Sequence, residues 1–374
     1  MKEINKLDVF FNDTKVGTLV ETEDHKIAFQ YDNNWLINGF SISPFSLPLN
    51  NKVFFAKYDP FDGLFGVFAD SLSDGWGRLL LDRMLRKKGI DPFKLGALSR
   101  LAIVGETGMG ALTYRPQFNL SDELEYKDLD ELCASCKIIL KDDNSADDLD
   151  LLFKLGGSSG GARPKILTNI DGESWIIKFP SSYDYDNVGK MEYDYMACAK
   201  KCGIDVPDFK LFPSRNCSGY FGVKRFDRHN QDRIHMVSVS ALLETSHRWP
   251  NLDYNDLMKL TRILTNSYDE IEKMFKLMCF NVFAHNRDDH SKNFSYIYNY
   301  NEKCWKVSPA YDLTYSNSIG GEHATTVDGN GSNPGINDII RVGEKIGIPN
   351  DKCKLITNNI KDIVYSELSI YLQH

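Results

Sequence analysis

One short stretch of this chain gathers an unusual density of groups that move protons or bind cations. Phe283 to Ser295 reads FAHNRDDHSKNFS, with two carboxylates, two amides, two imidazoles, an Arg and a Lys. Such a cluster is costly to desolvate unless its members pair with one another or bind something. Asp288 and Asn293 stand in a D-x-x-x-x-N spacing, which sets a carboxylate and an amide on one loop as in phosphoryl-transfer enzymes. Asp312 follows in Ser308-Pro309-Ala310-Tyr311-Asp312-Leu313. Taken singly, Asp288 reads as a helix cap or surface residue and Asn293 as a turn residue. Taken together, the three suggest phosphoryl transfer. Asp288 would accept or orient the substrate hydroxyl proton, while Asn293 and Asp312 would hold Mg²⁺ against phosphate oxygens. His285 and His290 read as hydrogen-bonded core histidines, because their spacing places them poorly for shared metal ligation. Lys292 reads equally as a phosphate contact or a solvated lysine.

That chemistry requires a grip on phosphate elsewhere. Gly156-Gly157-Ser158-Ser159-Gly160-Gly161-Ala162-Arg163-Pro164-Lys165 supplies a candidate. Glycines let backbone N–H groups converge on phosphate oxygens without a Cβ in the way, and Lys165 ends the loop as a cation. It is not a Walker A motif, since Pro164 precedes the lysine and Ile166 follows it. Lys178 lies in the apolar run Trp175-Ile176-Ile177-Lys178-Phe179. It reads either as an edge-strand lysine facing solvent or as a nucleotide-phosphate lysine. In the second case Glu192, on the next helix, would hold it by an ion pair. Loop, lysine, glutamate, Asp/Asn pair and later Asp occur in the order that a kinase fold requires.

The elements that must position these groups are legible in outline. Residues 8–31 alternate apolar and polar, as short strands do. A helix runs from Asp74, as its N-cap, through Leu79 and Leu85. Residues 116–150 are acidic and polar with one helical piece at 129–140, and read as a connection. Two strands at 165–169 and 175–179 are joined by Asp171-Gly172, a strong hairpin signal. A helix spans 187–202, strands return at 208–213 and 220–226, and the chain is mostly helical from 238 onward. With 374 residues the chain suggests two or so domains. A formal net charge of −8 argues against bulk attraction to nucleic acid or anionic membrane. The 8 cysteines are scattered through a long chain, so reduced thiols are expected, and Cys133-x-x-Cys136 has no second half for a zinc site. Neither a signal core nor a membrane-length apolar run occurs, which makes the cytoplasm the expected compartment.

Gly157 to Lys165, Ile176 to Pro180, Lys224-Arg225-Phe226-Asp227-Arg228, Asn286 to Asn293 and Ser308 to Leu313 together resemble the HipA family, serine/threonine kinase toxins of type II toxin–antitoxin systems. The stretch Gly63 to Arg78 resembles the family's N-terminal subdomain, so the likeness covers nearly the whole chain. The resemblance implies an α+β, two-lobed kinase-like fold. Residues 1–115 would be the family-specific N-terminal module, 116–228 the nucleotide-binding lobe and 229–374 the helical kinase domain, with ATP·Mg²⁺ bound between lobes. It implies that Asp288 is the catalytic aspartate, that Asn293 and Asp312 bind Mg²⁺, and that Lys178 contacts ATP phosphates with Gly157, Ser158, Ser159, Gly160, Gly161, Lys165 and Glu192 around them. Lys224 to Phe226 would be the hinge that meets adenine through backbone groups, and Asp227 would reach the ribose. Ser158 aligns with the serine that family members autophosphorylate as an off switch. The implied partners are a HipB-like helix-turn-helix antitoxin, through which alone DNA is met, and a protein substrate of the aminoacyl-tRNA synthetase kind, notably glutamyl-tRNA synthetase. Three features depart from the pattern: tandem Ser158-Ser159, Asp289 where glycine is familiar, and Asp312-Leu313 in place of D-F-G. The residues alone leave open a small-molecule kinase of the antibiotic-phosphotransferase kind, or an inactive kinase-like corepressor acting with an antitoxin.

Overall fold

The structure is a computed structural model that describes residues 4–118, 128–141, 148–182, 184–229 and 232–372. Helices and strands fall into two compact units, one of residues 1–186 and 212–245, the other of 187–211 and 246–374.

The first unit opens with an antiparallel sheet ordered Phe54–Phe55, Ile27–Tyr31, Thr14–Glu21, Lys6–Phe11, Leu112–Arg115. Its strands follow the alternation in the sequence. Leu7 and Val9 are fully buried on one face, while Asp8 points the other way and accepts a hydrogen bond from its cross-strand partner Thr18. A second, four-stranded sheet includes Lys165–Ile170, Glu173–Lys178 and Tyr220–Lys224 in that order, so that Glu173–Lys178 is an inner strand. Asp171 and Gly172 turn its first hairpin with φ of 54° and 84°, the positive pair that a two-residue type I′ loop demands.

Helix Gly75–Lys87 shares one core with this second sheet. Trp76, Leu80 and Met84, four residues apart on one helix face, pack with Leu132, Cys136, Leu152, Ile166 and Ile177. The stretch 116–150 is therefore more than a connection. Its helix Leu129–Lys141 contributes Leu132, Cys133, Cys136 and Ile139 to that core, and the helix that follows, Leu149–Gly156, leads straight into the glycine loop. Residues 119–127 and 142–147 of that stretch lie outside the described residues. Cys133 and Cys136 are buried free thiols, and burial pushes both thiol pKa values up.

The second unit is mainly helical, around Tyr268–Phe283, whose Ile271, Met274, Phe275, Met278, Cys279 and Phe280 are all buried. Ser267 caps its start by accepting from the Glu270 amide. Helices Val188–Lys201, Tyr254–Thr265, Ile336–Ile346 and Asn350–Glu367 complete the unit. Gly343 lets the last two approach closely, because a Cβ there would sit 2.4 Å from Cys353 Sγ. A hairpin of Ser295–Asn299 and Cys304–Val307 follows the polar cluster. Among the described residues no helix is long and apolar enough to cross a membrane.

Candidate functional site

In the first unit the glycine loop is tied to the sheet by a lysine, and a second lysine lies beside the first. Lys165 and Lys178 lie directly opposite each other on neighbouring antiparallel strands, and therefore on one face of the sheet. Lys165 is buried and its Nζ donates to the carbonyl of Gly160 in the loop above. Lys178 is half-buried on the central strand, its Nζ 5.7 Å from the centre of the Phe221 ring. It is not an edge-strand lysine. Like charges facing across strands are unfavourable, and an anion over the loop would relieve that repulsion.

From the side, the loop is gripped by the N-terminus of helix Gly75–Lys87. The Trp76 amide donates to Gly161 O at 2.9 Å. Asp74 sits at the N-cap position expected of it, yet its side chain does not cap the helix; it accepts instead from the Gly161 amide. Gly75 and Gly77 are what make this approach possible. A Cβ on Gly75 would stand 2.3 Å from Gly161 O, and one on Gly77 would stand 2.3 Å from Ser159 O. Replacing Gly77 with Ala should therefore push the loop away from the helix. The expected result is about tenfold weaker nucleotide binding, in line with an overpacking cost of about 1–3 kcal/mol. Titration with a fluorescent ATP analogue measures it, and unchanged affinity would contradict the proposed grip.

The two serines differ sharply. Ser159 is 3% exposed and donates to Gly156 O at 2.6 Å. Ser158 is only half-buried and donates to Thr107 O at 3.1 Å. Thr107 belongs to the turn before strand Leu112–Arg115, and that turn is held by a cluster sequence reasoning missed. Arg225 and Arg228 both donate to Gly108 O, Arg228 also to Gly110 O, and Arg233 to Glu106 O. Asp227 neutralises two of these guanidiniums: Arg225 and Arg228 pair with it, and the Gly110 amide donates to it at 2.7 Å. Although burial alone would raise its carboxyl, the arginines hold Asp227 below the usual range. With none of its surface exposed, Asp227 cannot reach a ribose, and that expectation is corrected: its carboxylate is committed to the arginines and to the turn. Lys224 pairs with Glu173 across the sheet, and Phe226 is half-buried just beyond the strand.

In the second unit Asp288 is well exposed, its side chain 65% accessible. Asn293 is brought to it: the Asn293 Nδ2 donates to the Asp288 carbonyl at 2.6 Å, and its backbone amide donates to His290 O. Tying down the nitrogen end leaves the carboxamide oxygen as the end able to face a cation. Asp312 is half-buried and adopts φ 53°, in the left-handed region, a conformation that a side chain occupies at some cost. A carboxamide oxygen and a carboxylate are hard oxygen donors, the kind Mg²⁺ takes while keeping several waters, so these residues fit that ion. Among the described residues no three His, Cys, Asp or Glu side chains cluster as a metal site. Glu192 is 2% exposed on helix Val188–Lys201 of this unit.

The loop is braced from behind by its neighbour in sequence. Asp289 is fully buried. Its carboxylate accepts from Tyr254 Oη at 2.9 Å, His323 Nδ1 at 3.0 Å and the Thr325 amide at 3.2 Å. Asn281 donates to the same Tyr254 oxygen, and Asn286 Nδ2 donates to Asn281 Oδ1. The sequence carried one signal for this network, an Asn inside the apolar run Cys279-Phe280-Asn281-Val282-Phe283, since buried amides need partners. His285 and His290 are half-buried and not core residues. His290 leaves its Nδ1 without a hydrogen bond, and its ring stands edge-on to His247 at 5.5 Å.

Comparison with known proteins places these pieces in one lineage. The "HipA N-terminal domain" family matches residues 7–115 and the "HipA-like C-terminal domain" family matches residues 157–367. A Sinorhizobium fredii protein named "Putative kinase Y4dM" is 26% identical over 331 residues, covering 84% of this chain and 78% of the other. A Haemophilus influenzae protein named "Putative kinase" is 24% identical over 181 residues, 42% of this chain and 52% of its own. Among solved structures, HipA of Shewanella oneidensis MR-1, in complex with HipB and operator DNA, superposes with a TM-score of 0.73. It is 18% identical, over 97% of this chain and 90% of that one. At that identity the superposition speaks for the fold. The two family domains, in order and spanning most of the residues, decide the rest: this chain belongs to the HipA family.

Proposed function

We propose that this chain is an ATP·Mg²⁺-dependent serine/threonine protein kinase of the HipA toxin type. The observation that carries the reading is the facing pair Lys165 and Lys178, the first of them bonded to Gly160 of the glycine loop, two cations next to a loop of backbone amides. Lys178 would contact nucleotide phosphates, and backbone groups of residues 224–226 would receive adenine. Mg²⁺, when bound, would bridge phosphate oxygens and offset their charge. Asn293 and Asp312 would hold it, and Asp288 would accept or orient the hydroxyl proton of the substrate. Glu192 would orient Lys178. The proposal requires both residue sets to serve one nucleotide. The relatives that carry the name kinase support it. The Shewanella complex supports a HipB-like antitoxin as partner, with operator DNA met through that partner. The substrate proposed is an aminoacyl-tRNA synthetase, glutamyl-tRNA synthetase first among them, whose phosphorylation would arrest translation in the cytoplasm.

The test is incubation of the purified chain with labelled ATP, Mg²⁺ and a lysate of its own cell. Label on a host protein, absent with Asp288→Asn, is the expected result. Label confined to a small metabolite would point to the antibiotic-phosphotransferase kind of enzyme. ATP binding without any transfer would point to a corepressor.

The exposures of the two serines lead to a second expectation. Ser158 has its hydroxyl within reach of solvent, whereas Ser159 is buried on Gly156. Intact mass after incubation with ATP and Mg²⁺ should show one added phosphate. That addition should persist in Ser159→Ala and vanish in Ser158→Ala. A phosphate adds about 1.5–2 negative charges to a loop built to hold anions and removes the Ser158 donation to Thr107. Nucleotide binding should then fall by more than about tenfold, since like charges compete for one cradle.

A further inference from the structure

Behind the catalytic loop, and wholly within the second unit, lies a cavity of about 230 Å³ lined by His285, Arg287, His323, Lys361, Tyr365 and the start of helix Ile336–Ile346. Nothing in the reading above uses it. Its walls carry positive or protonatable groups and no carboxylate. The Arg287 Nε is buried and without a hydrogen bond, a costly state for a polar group. Arg287 is pinned beside His323 because the Ala324 amide donates to the Arg287 carbonyl at 3.0 Å. His285 is held below its ordinary pKa first by burial and then by the charges of Arg287 and His323. Lys361 reaches from the last helix with its Nζ 5.7 Å from the centre of the Tyr365 ring.

The nearby acids are already engaged. Asp289 is occupied by Tyr254, His323 and Thr325. Glu322 takes the Ser332 hydroxyl, and Asp338 takes the Gly335 amide and Arg341. The positive end of the helix that starts at Ile336 adds to the same field, partly offset by Asp338. Cations gathered round a cavity with no neutralising side chain in its wall, one with an unsatisfied buried N–H, are arranged as an anion site is.

We propose that this cavity binds a phosphate-class oxyanion, held by Arg287 with His285 and Lys361. An anion oxygen would complete the Arg287 hydrogen bonding and offset the positive field that Arg287 and His323 set at His285. The inference rests on the cavity and its lining alone and stands whether or not the chain transfers phosphate.

The experiment titrates inorganic phosphate, and in a second arm O-phosphoserine, into the full chain while the His285 imidazole is followed by NMR. A saturable response is expected, with the His285 pKa moving upward by about one pH unit. The affinity should drop at least about tenfold in Arg287→Gln and more weakly in Lys361→Gln, with Lys361→Arg restoring it. Tighter binding of O-phosphoserine would identify a phosphorylated side chain as the source, and binding of phosphate alone would identify the free ion. Should Arg287→Gln fail to fold, Lys361→Gln decides, because that residue is half-exposed on the surface of helix Asn350–Glu367. No saturable response at His285, or one unaltered in the variant that decides, would overturn the proposal.

Discussion

Replacing Asp288 with Asn is expected to lower phosphate transfer by about 10²–10⁴-fold, the contribution typical of a positioned general base, with the melting temperature unchanged. The exposure of the side chain, 65%, is what separates the two effects. Asp288 lies outside the buried network behind the loop, so losing its charge leaves the fold intact. The Asn293 amide reaches the Asp288 backbone carbonyl and not its carboxylate, so the loop geometry should survive the change as well. ATP affinity should therefore stay within a few-fold of wild type while turnover collapses. Single-turnover transfer with labelled ATP measures the first quantity and thermal melting the second. A variant that keeps more than about a tenth of the rate would remove Asp288 from the role proposed for it.

Parts of the candidate site's geometry were legible in the chain because those residues announce themselves by type and spacing. Asp288 and Asn293 do meet on one loop. The hairpin at Asp171-Gly172 formed as its dipeptide demands, since positive φ at both positions leaves few alternatives. Lys178 could be placed on a strand but not judged, because its partner across the sheet is Lys165 and that register is decided by pairing. The grip of Asp74, Gly75 and Gly77 on the glycine loop was not legible either. Those residues precede the loop by over eighty positions, and only the shared core around Trp76 brings them there. Asp227 misled for the opposite reason. Its position in the motif suggested a ligand contact, while it pairs with Arg225 and Arg228, and the arginines that hold the turn, Arg233 outside that motif among them, are recognisable only by what they hold.

Asp289 shows best how type and spacing fall short. It stands next to Asp288 in sequence, yet faces inward where Asp288 faces out. Replacing it with Ala should destabilise the second unit by about 3–5 kcal/mol, as expected when one partner of a buried charged network is removed. Three donors would lose their acceptor at once: the Tyr254 hydroxyl, the His323 ring N–H and the Thr325 amide. The nearby carboxylate raises the Tyr254 phenol above its ordinary pKa, though burial contributes more, so the removed charge would also be felt at that ring. Asn in place of Asp keeps the shape but turns one acceptor into a donor facing N–H or O–H groups. It should cost about 1–3 kcal/mol, less than Ala but more than Asp288→Asn. Urea unfolding of the three variants, side by side with wild type, should rank them in that order. Because the Asn281–Tyr254–Asp289 chain also anchors Asn286 at the base of the loop, Asp289→Asn should lose transfer activity at temperatures where it remains folded. If Asp289→Ala melted like wild type, the brace would have to lie elsewhere, and the glycine familiar at this position would be the better guide to its role.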